Sequence, residues 1–443
     1  MNPLVVAFLL GLGTRLQVQV IGYLPLSELA ILAMSPFLLP QFTRRDVLRP
    51  TRLLVPLAIL WLLGTAVTDL VNETQWSLAA RGLARPLVFL VCIPFCSWFF
   101  GTDTWRRLLW FSVGCVPSVV LSAFVLRGGV HEAREFQRGE AEINWVTHWC
   151  ALPFAISLVL ALVYYQRRPI RAYAASLLVG LLNIYMGSRS LGGTSILGPA
   201  VCMVRNILAQ RSRGGIWIRR RLTLPRAGVA IAFVLLAAFA TLETYRWAAE
   251  NDMLGEKARE KYEAQSRSRF GLLIGGRAEV LAGIIAVSKS PIIGYGSWPL
   301  DKQGFYIQMC ELLDEKPNML FYKTGYPMIP CHSHVLQAWV QNGILGGVFW
   351  LYVLFFVIAR SVYRPMVDES RLRLWESIVS INTVWVVLFS PISDRLTMCV
   401  TLVVMLRQMG PLLVSGTGAQ ASALGNSPQR MPASAPLAQI HPT

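Results

Sequence analysis

Residues 335–359 read VLQAWVQNGILGGVFWLYVLFFVIA, an unbroken run without a single charged side chain, closed by Arg360. A helix rises about 1.5 Å per residue, so roughly 20 apolar residues cover the hydrocarbon of a bilayer. The run is long enough, and it lacks the alternation of period two that a barrel strand facing lipid shows. Backbone groups in lipid must be satisfied within the spanning structure, which leaves only helices and closed barrels. The stretch therefore reads as a membrane-spanning helix.

The rest of the chain repeats the pattern. It has 443 residues, 54% hydrophobic and only 15% charged, with mean hydropathy +0.49, where a soluble domain carries about 25% charged residues. Spans are expected at 3–22, 25–42, 52–71, 83–101, 106–126, 145–165, 172–187, 190–207, 227–246, 335–359, 373–391 and 395–410. The fold class is thus an all-α integral membrane protein of about 12 transmembrane helices. Residues 1–246 hold the first nine spans, 247–334 form one larger, mostly helical outer segment, 335–410 hold the last three spans, and 411–443 form a Ser-, Ala- and Pro-rich tail without periodicity. No basic n-region or cleavage site opens the chain, so the first span is expected to stay as an anchor.

Charge sets the orientation. The net charge of +17 sits in arginines between spans, so it reads as topology and contact with anionic membrane lipid, with no nucleic acid implied. Arginine clusters at 44–52, 106–107, 167–171, 205–226 and 360–373 fall in one alternate set of connectors. The other set is acidic or mixed: Asp69 and Glu73, His131 through Glu142, and 247–334. The positive-inside rule then places both termini in the cytoplasm and the long segment outside.

Three constellations gather on that outer side. PCHSHVLQAWVQNGILGG begins at Pro330 and places His332 and His334, two of five histidines, where the outer segment re-enters the membrane. An imidazole, which titrates near about 6.5 as a class, takes a proton from a hydroxyl there, or else simply caps the helix. GGRAEVLAGIIAVSKSPIIGYG places Arg277 at the start of an expected helix from about Arg277 to Lys289, with Glu279 nearby, stopped by Pro291. A cation at a helix N-terminus opposes the dipole, so this arginine is either a surface residue or the partner of an anion. NIYMGSRSLGGTSILG places Arg189 in a short outer turn among Gly187, Gly192 and Gly193. An arginine at that depth is a functional hypothesis or a snorkelling side chain. Guanidinium groups bind phosphate oxygens bidentately and keep their charge, so two of them beside a histidine suit leaving-group chemistry on a diphosphate.

No dense carboxylate cluster stands on the outer face, and His332 and His334 lack the further ligands of a zinc site, so no metal and no cofactor is expected. Cys310 and Cys331 both lie outside and are expected to pair, with two unpaired thiols as the alternative. A bond between them would close a loop of roughly 20 residues and stabilise by about 3 kcal/mol in the chain-entropy model. The polar stretch EKAREKYEAQSRSR earlier in the segment is helix-prone.

At these residues the sequence resembles the O-antigen ligase and O-antigen polymerase superfamily of bacterial membrane glycosyltransferases. His332-Ser333, nine residues, Gly343, two residues and Gly346 fit its histidine motif. Arg277, three residues and Leu281 fit its periplasmic arginine motif, and SPIIGYG looks like its downstream turn. GSRS around Arg189 looks like its Ser-Arg turn between two spans. The matches span roughly residues 180–350; the first six spans match in general character only.

The resemblance implies a GT-C-like bundle in the bacterial inner membrane and a metal-independent, inverting transfer on the periplasmic side. The donor would be an undecaprenyl-diphosphate-linked glycan, and the acceptor lipid A core or a growing glycan. Arg189 and Arg277 would bind the diphosphate, and His332 would be the general base. Ser333, His334 and Arg395 are expected to contact substrate. A ligase of lipopolysaccharide assembly is favoured over a repeat-unit polymerase. A secondary transporter is the rival of another class, but it predicts repeated halves with charges at midplane, and neither is visible.

Overall fold

The computed structural model describes residues 1–20, 22–125, 149–186, 188–210, 242–253, 277–314, 326–363, 371–392 and 395–407, with isolated positions between 232 and 266 and at 317 and 319. The expectations for His131 through Glu142, for most of the span at 227–246, for Gly187, for much of EKAREKYEAQSRSR and for the tail from 411 lie outside the described residues.

The described chain is mostly helical. In order it forms α1 (Pro3–Leu12), a hairpin of β1 (Gln17–Gln19) and β2 (Tyr23–Pro25), α2 (Leu26–Phe42), α3 (Arg45–Thr51), α4 (Leu54–Val71), α5 (Trp76–Phe99) and α6 (Thr104–Val125). There follow α7 (Ala151–Tyr164), α8 (Pro169–Tyr185), α9 (Arg189–Gln210), α10 (Glu279–Lys289), α11 (Phe305–Leu313), α12 (His334–Tyr363), α13 (Arg373–Phe389) and α14 (Arg395–Arg407).

Among the described residues three helices are long and apolar enough to cross a membrane: Leu54–Val71, Trp76–Phe99 and His334–Ala359. The pair α2 and α3 joins them if its 106° bend is counted as one broken span. The expected span at 3–22 is corrected: its helix stops at Leu12, and an antiparallel hairpin with Gln17 opposite Pro25 follows. The cause is local. Thr14, Arg15, Gln17 and Gln19 make the second half polar, and Gly13 accepts a close approach from the backbone of Ser27, so the chain turns back.

The core is aromatic. Trp61 of α4, Phe89 of α5, and Phe349 and Trp350 of α12 meet with ring centroids 5.0–5.7 Å apart. Such pairs contribute about 0.5–1.5 kcal/mol each beyond their buried area. Around this centre α4 packs on α5 and α12, α14 on α5, and α9 on α8 and α13. Helices α1 and α6 cross at Gly11 and Gly114, where an added Cβ on either would strike the other's backbone; small residues permit such approach in a bilayer.

One helix is interrupted. Gly343 breaks α12 with φ 62° and ψ −159°. The segment 290–297 fills the break: Tyr295 N donates to the Val340 carbonyl (2.8 Å), Gly296 N to the Gln341 carbonyl (3.1 Å), and Ile344 N to the Ile292 carbonyl (3.0 Å). Backbone groups freed by the break are thus satisfied by another chain segment, as buried backbone requires. Ser297 N and Oγ then donate to the two Asp69 carboxylate oxygens at 2.6 and 2.7 Å, which ties the same turn to the end of α4. This lock holds the end of α10 against the Gly343 break of α12.

Candidate functional site

Each of the three candidate residues stands at a helix start. Arg189 is the first residue of α9, Arg277 lies two residues before α10, and His332 lies two before α12. Helix N-termini carry partial positive charge and unpaired N–H groups, which favours anions. Two guanidinium groups added to such ends raise the local positive potential further.

The structure couples Arg189 to Arg277, and Arg277 and His332 each to Glu279. Half-buried Arg189, which precedes its expected span, holds its guanidinium carbon 4.6 Å from the centre of the Tyr245 ring, and Tyr245 lies on a helical stretch at 242–250. Burial pushes the basicity of Arg189 down, Tyr245 opposes that, and the charge of Arg277 lowers it again. The two cations are therefore near enough to repel. Burial also lowers Arg277, and Glu279 raises it. Arg277 lies 5.9 Å from the ring centre of Trp385, on α13. His332 completes the group, with Nδ1 3.6 Å from Oε1 of Glu279. The side chains of His332 and Glu279 are 43% and 37% exposed, so neither is closed off within the bundle.

Glu279, Tyr245 and Trp385 are additions that the sequence pattern did not assign to the site. Glu279 was visible as a neighbour of Arg277, but its link to His332 exists only in the fold. Tyr245 and Trp385 fall in segments read as spans.

Ser333 and His334, expected to contact substrate, are corrected to structural residues. Ser333 is 2% exposed and His334 fully buried. The last turn of a helix leaves carbonyls without intrahelical donors, and these two side chains serve that end of α13. Ser333 Oγ donates to the Val387 carbonyl (3.0 Å). His334 Nδ1 faces the carbonyls of Val386 (2.8 Å) and Ser390 (2.9 Å), which assigns its proton to that nitrogen. Its ring stands edge-on to Trp350 at 4.6 Å. Ser333 Oγ also accepts from Leu336 N and so caps α12.

Arg395 is not among the contacts of this group. Its Nε and Nη2 donate to the carboxylate of Glu28 at 2.7–3.2 Å, and it lines a separate cavity with Arg81 and Arg85.

The expected Cys310–Cys331 bond is also corrected: the two are not joined by a disulfide. Both pack in a small apolar cluster with Ala282, Phe305 and Ile329. Burial, with Asp301 adding to it, pushes the Cys331 thiol up to about 12. Oxidation proceeds through the thiolate, which is scarce in that setting. Among the described residues no group of three or more His, Cys, Asp or Glu is placed to hold a metal ion.

No family model matches the chain, and no curated protein matches it.

Proposed function

We propose that the chain transfers glycan from an undecaprenyl-diphosphate carrier to an acceptor hydroxyl on the periplasmic face of the bacterial inner membrane, as an O-antigen ligase does in lipopolysaccharide assembly. The observation that carries this reading is the convergence of Arg189, Arg277 and the His332–Glu279 pair at three helix starts. The reading takes twelve spans with both termini cytoplasmic. The sequence motifs support it, and so does the electrostatic character of the group, which favours a polyanion.

The chemistry is one displacement. The acceptor oxygen attacks the anomeric carbon as the bond from that carbon to the diphosphate oxygen breaks, and the configuration inverts. The electron pair leaves with the carrier diphosphate, whose growing charge is met by Arg189, Arg277 and the helix ends. Preorganised donors of this kind are typically worth about 10²–10³ each in rate. The hydroxyl proton passes to His332, and Glu279 stabilises the imidazolium that forms. A positioned general base contributes about 10²–10⁴.

The test is genetic. A deletion strain complemented with the wild-type chain is expected to carry long polysaccharide on lipid A. Complementation with His332→Ala is expected to leave lipid A bare while polymer still accumulates on its carrier. Accumulation of single repeat units would assign a polymerase instead. Loss of solute flux with glycan unchanged would remove both.

A further inference from the structure

The end of the bundle away from His332 carries a second basic feature, and α14 fixes which end that is. Just before its start, Ile392 N donates to Gln337 Oε1 in the first turns of α12, at 2.8 Å. At its last residue, Arg407 Nη1 donates to the Gly101 carbonyl (3.1 Å) and Nη2 to the Asp46 carbonyl of α3 (3.4 Å). Helix α3 therefore stands at the far end of α14 from His332.

This helix is an amphipathic bar. The chain bends by 106° from α2 into α3, so α3 lies across the end of α2. Its inner face holds Val47 and Thr51, both buried, and Ser97 Oγ of α5 donates to the Val47 carbonyl at 2.7 Å. Its outer face carries Arg45 and Arg49, continued by Arg52 at the helix end, and all three are exposed. Positions i, i+4 and i+7 share one side of a helix, with neighbouring Cβ atoms about 5–6 Å apart.

The three arginines form no ion pair among the described residues. The one carboxylate of α3, Asp46, is engaged by Arg44 at 3.3 Å. Asp103, near Gly101, pairs with Arg106 at 3.8 Å. Beside the arginines the surface is apolar: Phe37 and Leu39 in the last turns of α2 and Leu53 next to Arg52 are all exposed. A soluble polyanion would engage the arginines alone. A phospholipid uses both surfaces, with its phosphate on the guanidinium forks and its acyl chains on the apolar side chains.

We propose that Arg45, Arg49 and Arg52 form a headgroup site for an anionic phospholipid of the adjacent leaflet. The site prefers diphosphatidylglycerol, whose two phosphates, joined by one glycerol, each meet a different turn of the arginine ladder. The charge bias of the basic connectors by itself gives only diffuse attraction to an anionic surface. A ladder fixed by the buried face of α3 adds a saturable, headgroup-selective site. It shares no residue with the Arg277–His332 group and stands apart from the glycan-transfer reading.

The test is native mass spectrometry of the purified full chain in neutral detergent, titrated with diphosphatidylglycerol, phosphatidylglycerol and phosphatidylethanolamine. Diphosphatidylglycerol is expected to fill one saturable site at least about tenfold more tightly than phosphatidylglycerol, and phosphatidylethanolamine to fill none. Each surface arginine contributes about fivefold in affinity for an anionic lipid, so Arg45→Gln with Arg49→Gln is expected to weaken binding about 30-fold. Arg167→Gln with Arg168→Gln removes the same charge from the connector of α7 and α8 and is expected to change binding by less than about twofold. If the α3 pair does not fold, Arg49→Gln alone decides, with an expected loss of about fivefold. Equal losses from the two pairs, no loss from the α3 variants, or binding that rises without saturation would mean a diffuse field and overturn the site. Phosphatidylglycerol binding as tightly as diphosphatidylglycerol would overturn the two-phosphate preference. His332→Ala is expected to bind the lipid as the wild-type chain does, which keeps failure here distinct from failure of glycan transfer.

Discussion

Nδ1 of His332 stands 3.6 Å from Oε1 of Glu279, a carboxylate two residues beyond Arg277. One anion on the first turn of α10 thus serves both the cation expected at the leaving group and the imidazole expected at the attacking hydroxyl. That placement makes Glu279 a positioning residue, acting through its neighbours.

Glu279→Gln keeps size and polarity but removes the charge that stabilises an imidazolium. The variant is expected to lose about 10–100-fold in kcat, with the KM for donor not raised, since one negative charge beside the diphosphate has been removed. Steady-state kinetics in detergent with varied donor measures it. A higher donor KM at unchanged kcat would mean that Glu279 only shapes the binding site.

Arg277→Lys separates charge from geometry. An ammonium group keeps the positive charge but loses the planar fork that grips two phosphate oxygens. The variant is expected to transfer about 10² times more slowly than the wild-type chain. Transfer at more than a third of the wild-type rate would show that point charge alone suffices there.

Much of this was legible in the chain before any fold was known. Helices α4, α6 and α13 lie within about two residues of the expected segments, because continuous apolarity is a local property, whereas α5 starts at Trp76, ahead of its expected segment at 83–101. Arg189, Arg277 and His332 stood out for the same reason: each is a polar residue where an apolar run begins. The hairpin at 17–25 was not legible, because its polar residues are few and its turn depends on Ser27 packing against Gly13. Nor was the break in α12. In the sequence Gly343 was only one position of the histidine motif, whereas its role depends on the turn at 292–296, which Thr68 Oγ1 of α4 holds by donating to the Ile293 carbonyl 225 positions on. The bond from Arg85 to Gln341 joins residues 256 apart. Periodicity cannot carry such information.

Gly343→Ala tests that break. A side chain there suffers both a positive φ and a collision with the carbonyl of Ile292. The substitution is expected to cost about 1–3 kcal/mol, read as a lower unfolding temperature in detergent. An unchanged unfolding temperature would mean that α12 can run straight and that the 290–297 turn is dispensable.

Cys331 offers a chemical check. With its thiol pushed up to about 12, the group is neutral at pH 8 in the folded chain and nearer its ordinary value once unfolded. Thiolate character therefore rises on unfolding at that pH. Iodoacetamide at pH 8 is expected to label Cys331 slowly in the native chain and fully after denaturation, without prior reduction, as read by peptide mass spectrometry. Labelling that requires a reductant would restore the bond to Cys310.

The central claim is that two guanidinium groups and one imidazole act together on a lipid-linked diphosphate. The most direct measurement is glycan transfer by the purified chain in proteoliposomes, from an undecaprenyl-diphosphate glycan to a lipid A core acceptor. Product is expected with the wild-type chain, and a loss of at least about 10² in rate for each of Arg189→Ala, Arg277→Ala and His332→Ala. Wild-type rates from the His332→Ala and Arg277→Ala chains, or no product from the wild-type chain, would contradict it.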